Sequence, residues 1–331
     1  MNSKLLLFIA LPLLCSTACA PAPASTQAGP AATPPSLDNR QKTSAETNRP
    51  PNPYGPPALL GTLQDPSIKE SSGLAASRLD QNLFWTHNDS GQGPYLYAFD
   101  RAGKSLGVWQ VTGAKAVDWE DLAAGPGPET GRSYLYIGDI GDNDEERAQI
   151  TVYRIPEPAL KPEDASSTKR NPRTATEVEA FRLRYPDGKH DAEALMIHPL
   201  TGDLYIVTKT LLDNPGVYRA AAPLNASAVT TLERLGNLSV PGILGGAITG
   251  GDISPDGLRV ALCDYMQGYE LELPASAHKS FDEIWKRPMA IIALGQRKQG
   301  EAICYRLDGK ALLTTSDEQH SPLIEVVRRR K

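Results

Sequence analysis

An all-β fold is the expectation for this sequence, and three observations carry it. The 331 residues are 40% hydrophobic and 22% charged, the balance of an ordinary soluble globular protein. Twenty-eight glycines and 28 prolines cut many short Val/Ile/Leu/Tyr runs at turn dipeptides, which favours strands over long helices. One segment design also recurs five times along the chain, as set out below. The formal net charge of −5 argues against a nucleic-acid partner, because a phosphate backbone selects basic surfaces.

The first segment reads as an address. Lys4, an apolar run from Leu5 to Leu14 and the small residues after it make 1–18 a secretory signal peptide, and about ten apolar residues are too few to span a bilayer. Ser16-Thr17-Ala18-Cys19 resembles a bacterial lipobox, with Ala18 before the modified cysteine and Ser16 where leucine is usual. Cys19 is therefore the expected lipidation site; ordinary cleavage around Ala18-Cys19-Ala20 is the alternative. Residues 20–57 hold 10 prolines in 38 positions and almost no large apolar groups, so they cannot bury enough surface to offset their ordering entropy. The span 19–57 is expected to be a lipid-anchored, disordered, proline-rich tether. This places the protein in the cell envelope, facing the periplasm or the outside and touching the membrane through its lipid anchor.

The five openings are Ser71-Ser72-Gly73-Leu74-Ala75, Trp119-Glu120-Asp121-Leu122-Ala123, Ala192-Glu193-Ala194-Leu195-Met196, Gly250-Gly251-Asp252-Ile253-Ser254 and Gly300-Glu301-Ala302-Ile303-Cys304. Each leads through a tight polar turn to a second apolar run, beginning at Leu83, Tyr134, Leu204, Arg259 and Ala311. Thr201-Gly202-Asp203, Pro255-Asp256-Gly257 and Asp308-Gly309 supply the positive-φ residues that such hairpin turns demand. Third runs begin at Tyr95, Ile150, Gly216, Tyr269 and Leu323, and fourth runs at Gly107, Val178, Thr231 and Met289. With Ser72, Glu120, Glu193, Gly251 and Glu301 aligned as one column, the spacings are 48, 73, 58 and 50 residues.

Four-stranded units of about 40 to 50 residues with loop insertions are the blades of a β-propeller. The last unit stops after three strands, and the first is preceded by a spare one, Leu59-Leu60-Gly61-Thr62-Leu63. That strand closes the last blade. The expectation is a five-bladed β-propeller over 58–331, since the stretch between Gly125 and Lys189 offers one fourth strand and proline-rich loop, too little for a sixth blade. A large β-sandwich is the competing architecture, and it leaves the five aligned openings unexplained.

Innermost strands line a propeller's channel, so Ser72, Glu120, Glu193 and Glu301 should surround one axis at one height, with Gly251 as the fifth member. At ~6 Å and an effective dielectric of ~20, each like-charge pair costs roughly 3 kcal/mol. Such groups take up protons or share a cation. Hard oxygen donors suit Ca2+, which accepts about six to eight of them in loose geometry; the column has no Cys or His for zinc. A wide, wet channel whose glutamates never meet is the other outcome.

Loops entering first strands and leaving second strands open at one end of the ring. That mouth should gather Asp118, His190, Asp191 and Thr249 from the first set, and His87, Asn88, Asp89, Asp139, Asp142, Asn143, Lys209, Asp264, Asp317 and Glu318 from the second. It is strongly acidic, with Lys209 the basic residue the register places there. Polar, glycine-rich segments at strand ends suit a ligand-facing loop, although the same residues build turns with nothing bound.

Three segments, Thr86-His87-Asn88-Asp89-Ser90-Gly91, Asp118-Trp119-Glu120-Asp121 and Gly138-Asp139-Ile140-Gly141-Asp142-Asn143, resemble the signatures of uncharacterised secreted bacterial β-propeller proteins from about Ser71 onward. The column is also similar to that of the calcium-dependent apyrases, five-bladed nucleotidases whose central calcium is held in the order Ser, Glu, Glu, Ser, Glu. Ser72, Glu120, Glu193 and Glu301 match, while Gly251 replaces the second serine and offers its carbonyl alone. A basic residue that those enzymes carry beside the acid pair of blade one is absent at Asp89-Ser90. The resemblance implies the architecture and the central calcium.

Gly-x-Ser-x-Gly, His-Glu-x-x-His and a phosphate-binding glycine loop are all absent from the sequence. His198 and His278 fall in turn or loop contexts and are expected to be solvated. Cys263 and Cys304 are the thiols of the mature domain, and the sequence leaves a disulfide between them open. Trp119, beside the column, is a candidate for ligand stacking. The reading is a calcium-binding propeller lipoprotein that binds a small molecule or a protein at its mouth. The alternative is a calcium-dependent hydrolase of phosphate or glycosidic bonds, with Asp89, Asp139 or His87 as general acid or base.

Overall fold

Inner and outer strands carry different residue patterns, and the patterns sort them radially. Ala192–Ile197 and Leu204–Thr208 are buried along their whole length, whereas Glu179–Arg184 turns Phe181 and Leu183 inward and Ala180, Arg182 and Arg184 to solvent. A strand covered on both faces by neighbouring blades must be apolar on both; a peripheral strand needs one apolar face.

The structure is a computed structural model that describes residues 49–211, 213–242, 246–275 and 280–329. The expected signal peptide, the expected lipidation site Cys19, most of the expected tether and His278 lie outside the described residues. Five sheets form a five-bladed β-propeller, antiparallel except for one short parallel strand added to each of blades one and two. Blade one comprises Leu74–Ala76, Leu83–His87, Tyr95–Asp100 and Ser105–Val111; blade two comprises Trp119–Pro126, Ser133–Asp139, Ile150–Pro156 and Glu179–Arg184. Blade three is Ala192–Ile197, Leu204–Thr208, Gly216–Ala220 and Glu233–Asn237, and blade four is Gly250–Ile253, Arg259–Cys263, Gly268–Glu272 and Ala290–Ile292. Blade five holds Gly300–Tyr305, Ala311–Ser316 and Pro322–Val327, and Ala58–Thr62 completes it by pairing antiparallel with Pro322–Val327. The spare strand ahead of the first blade thus closes the ring, as its sequence position requires.

The long insertion of blade two builds no sixth blade. It returns to blade one instead, where Arg173–Ala175 adds a fifth strand parallel to Ser105–Val111. Five apolar clusters fill the five blade interfaces, for example Leu135, Ile137 and Tyr153 against Trp85 and Trp109 between blades one and two. Cys263 packs with Ile303 and Tyr305 while Cys304 packs with Leu74 and Phe84, so strand alternation sends the two sulfurs into different interfaces. Both thiols are free and buried.

Two expectations need correction. Proline content bounds the tether at Pro57, but Tyr54 is fully buried, forms a bridge with Arg328, and donates its hydroxyl to Glu270 Oε1 at 2.6 Å. One aromatic side chain with a buried acceptor outweighs the local composition. His198 is likewise buried rather than solvated, its ring 4.5 Å from Phe281 and its proton affinity lowered by burial. A three-residue turn looks exposed in sequence until the helical turn Phe281–Lys286 covers it.

Candidate metal centre at the propeller mouth

The three glutamates of the column owe their direction to β-bulges. Pairing runs from Trp119↔Asp139 to Asp121↔Gly138, from Ala192↔Thr208 to Ala194↔Val207, and from Gly300↔Ser316 to Ile303↔Thr314. Each register shift leaves Glu120, Glu193 or Glu301 out of the ladder at the channel end of its strand, and such a bulge re-aims the side chain it carries. Gly251 has no bulge; it pairs in register with Leu262.

Glu120, Glu193 and Glu301 are almost fully buried. Burial raises the proton affinity of each, and the charges of the others add to it: Glu193 raises Glu120, and Glu193 raises Glu301. The charge of Asp89 acts in the same direction on all three. Glu193 is pushed up to about 7 although the Lys209 ammonium, paired with its Oε1 and lying 5.4 Å from the centre of the Tyr265 ring, opposes the shift. Gln299 donates to Glu301 Oε1 at 2.6 Å and to Asp317 Oδ2 at 3.0 Å.

Among the described residues, the group of three acids close enough to share an ion lies between blades one and two. One carboxylate oxygen from each of Asp89, Asp118 and Glu120 falls within 4.8 Å of the others. Two oxygens on opposite sides of one calcium, each at about 2.4 Å, are separated by about that distance. The backbone of blade two is shaped for this approach, since a methyl group at Gly141 would overlap Glu120 Oε1 and Asp118 Oδ2. Burial, followed by the charges of Asp89 and Asp191, raises Asp118 to about 6.

Asp139 supports this group from behind. Its Oδ2 and Oδ1 accept the backbone N–H groups of Val117 at 3.3 Å and Asp118 at 3.2 Å, and Arg147 pairs with Oδ1 at 2.8 Å. Arg147 also donates to the Gly141 and Asp139 carbonyls, a second cation at the mouth that the register alone did not place there. Asp142 accepts the N–H groups of Glu146 and Arg147, and Asp191 accepts that of Asp142 at 2.8 Å.

Other residues expected at the mouth stand apart from the group. His87 is fully buried, edge-on to Trp119 at 5.6 Å, with burial lowering its proton affinity. Trp119 is equally buried and its indole N–H donates to the Lys115 carbonyl at 3.0 Å, so it is an interface anchor with no face left for stacking. His190 joins Asp187, Tyr185 and Tyr218 in a peripheral aromatic cluster. Asp264 closes its own turn, accepting from Met266, Gln267 and the Tyr269 hydroxyl. Ser72 donates its hydroxyl to the Glu120 carbonyl at 3.0 Å.

Asp121, which the sequence alone does not single out, is central. Its Oδ1 accepts the N–H of Leu122 at 2.8 Å, and its Oδ2 those of Leu195 at 2.9 Å and Gly251 at 3.3 Å. One carboxylate thereby ties blades two, three and four across the channel. The recurrence of Asp at 121 and 252 was the available signal; Asp252 similarly accepts from Ile253 and from Tyr305 of blade five, both at 2.8 Å.

No family model and no curated protein matches the chain. Among solved structures, a chain from a crystal structure of a nidogen/laminin complex is similar over 75% of this chain and 72% of its own length, at 14% identity and a TM-score of 0.40.

Proposed function

We propose that this protein is a calcium-binding β-propeller of the cell envelope that receives a small-molecule or protein ligand at its mouth. The observation that carries the reading is the set of carboxylate oxygens from Asp89, Asp118 and Glu120 within 4.8 Å of one another. The donors are all hard oxygens, which fits calcium. The bulged strands of Glu193 and Glu301, and the charge coupling of these two residues to Glu120 and Asp89, support adding them to the site. Ser72 and the Gly251 carbonyl, members of the column by sequence, stand behind this group in the proposal.

The mouth also carries apolar residues that a binding surface would use. Val117, Leu211 and Met266 are 56%, 65% and 64% exposed, and they sit on mouth loops of the consecutive blades two, three and four. An acidic centre flanked by exposed apolar side chains suits a ligand that combines a polar head with an apolar body. Lipidation at Cys19 after removal of 1–18 would tether the propeller to the membrane through the segment that precedes residue 50.

A hydrolase would use the same mouth, so turnover is the discriminating test. Nucleoside diphosphates and aryl glycosides are offered with calcium and with chelator, and no turnover is expected under either condition. Calcium-dependent turnover that disappears in both Glu120→Gln and Asp89→Asn would replace the binding reading with the hydrolytic one.

A further inference from the structure

The ends of the ring differ in charge, and the less acidic one carries a large cleft. First strands run from mouth to base, so the third strand Pro322–Val327 also runs toward the base, and its antiparallel partner Ala58–Thr62 rises from it. Residues 50–57 and Arg328–Arg329 therefore meet at the base, where the Arg329 N–H donates to the Pro53 carbonyl at 2.8 Å. Between this strap and blade four lies a cleft of about 600 Å³. Pro50, Pro51 and Pro53 wall it on one side, and Leu258, Leu273 and Pro288 on the other.

Four arginines line the same cleft, and they fall into two classes. Arg259 pairs with Asp256 at 3.0 Å, and Arg328 pairs with Glu270 and with Glu272, the latter at 2.8 Å. These pairs account for the three acids in the lining. Arg287 and Arg329 are exposed and form no ion pair among the described residues. Leu79 and Leu200, 51% and 74% exposed, project from base turns of blades one and three.

We infer that the base is a docking surface for anionic phospholipid, with the headgroup phosphate received between Arg287 and Arg329 and the adjoining apolar part of the lipid against the proline and leucine walls. Charge complementarity selects this face: the mouth gathers Asp89, Asp118, Glu120, Asp191, Glu193 and Glu301, and an anionic bilayer repels it. Docking by the base turns the mouth away from the membrane. The inference stands apart from the calcium reading, because its residues lie at the opposite end of the ring.

Vesicle co-sedimentation tests it, using the mature chain 19–331 with Cys19→Ser so that neither the apolar leader nor an acyl chain contributes, and with chelator so that no calcium bridges protein to lipid. Phosphatidylcholine vesicles with added phosphatidylglycerol should retain the chain, and phosphatidylcholine alone should not. Arg287→Ala with Arg329→Ala removes two exposed cations from the anionic surface and should weaken binding by about thirtyfold. Both side chains are exposed, and an unchanged melting temperature would exclude misfolding of the double variant. Equal binding to neutral vesicles, or full retention by the double variant, would overturn the inference. Displacement by millimolar inorganic phosphate at constant ionic strength would also overturn it, since the cleft would then be a site for small anions.

Discussion

Glu120 and Asp121 stand next to each other on the first strand of blade two, and both are buried carboxylates whose proton affinity burial raises. The bulge at Glu120 breaks the usual alternation, so both are directed toward the channel. Asp121 finds three backbone N–H groups there, from Leu122, Leu195 and Gly251, and those bonds oppose the effect of burial. Glu120 finds Glu193, Asp89, Asp118 and Asp191, and every one of those charges reinforces it. Burial alone therefore does not mark a site. The kind of partner does: a carboxylate met by donors is a structural tie, and one met by other carboxylates calls for a cation or a proton.

The sharpest way to break this comparison is to remove each member in turn. Asp121→Ala strands backbone donors on three blades, and at about 1–3 kcal/mol for each buried unsatisfied group the loss should reach about 3 kcal/mol or more. Denaturant unfolding should show that loss with calcium and with chelator alike. Glu120→Gln should do the opposite in chelator, raising stability by about 1 kcal/mol by relieving like-charge repulsion. If the two variants lose stability equally, the distinction between tie and site fails.

A smaller effect sharpens the same contrast. Asp118 at about 6 and Glu193 at about 7 bind protons more tightly in the folded chain than carboxylates do in an unfolded one. The folded state then holds more protons between about pH 4 and 7, so stability falls as pH rises through that window and levels off above it. Thermal melts in chelator should therefore give a higher melting temperature at pH 5 than at pH 7.5. A cation that replaces those protons should reduce the difference, so melts with calcium should show a flatter profile.

Much of the fold was legible because its signals are local and repeated. Five aligned openings, glycine-bearing hairpin turns and one spare strand ahead of Ser71 were enough to give five blades and the closing strand. The column was legible for the same reason: Glu120, Glu193 and Glu301 recur at one position of a repeating unit. Elsewhere the deciding contacts come from distant parts of the chain. Tyr54 is ordered by Glu270, 216 residues away, and His198 is covered by Phe281. Arg147 reaches the mouth from a loop that register does not fix. Asp121 resembled any acidic neighbour of Glu120 until the backbones of blades three and four were brought to it.

Calcium titration of the chelator-treated chain, followed by melting temperature and by elemental analysis of the untreated protein, tests the central claim most directly. The account predicts that chelation lowers the melting temperature, that calcium restores it, and that Glu120→Gln and Asp89→Asn abolish the response while the destabilised Asp121→Ala retains it. No shift on chelation, together with no metal in the untreated protein, would contradict a cation site at the mouth.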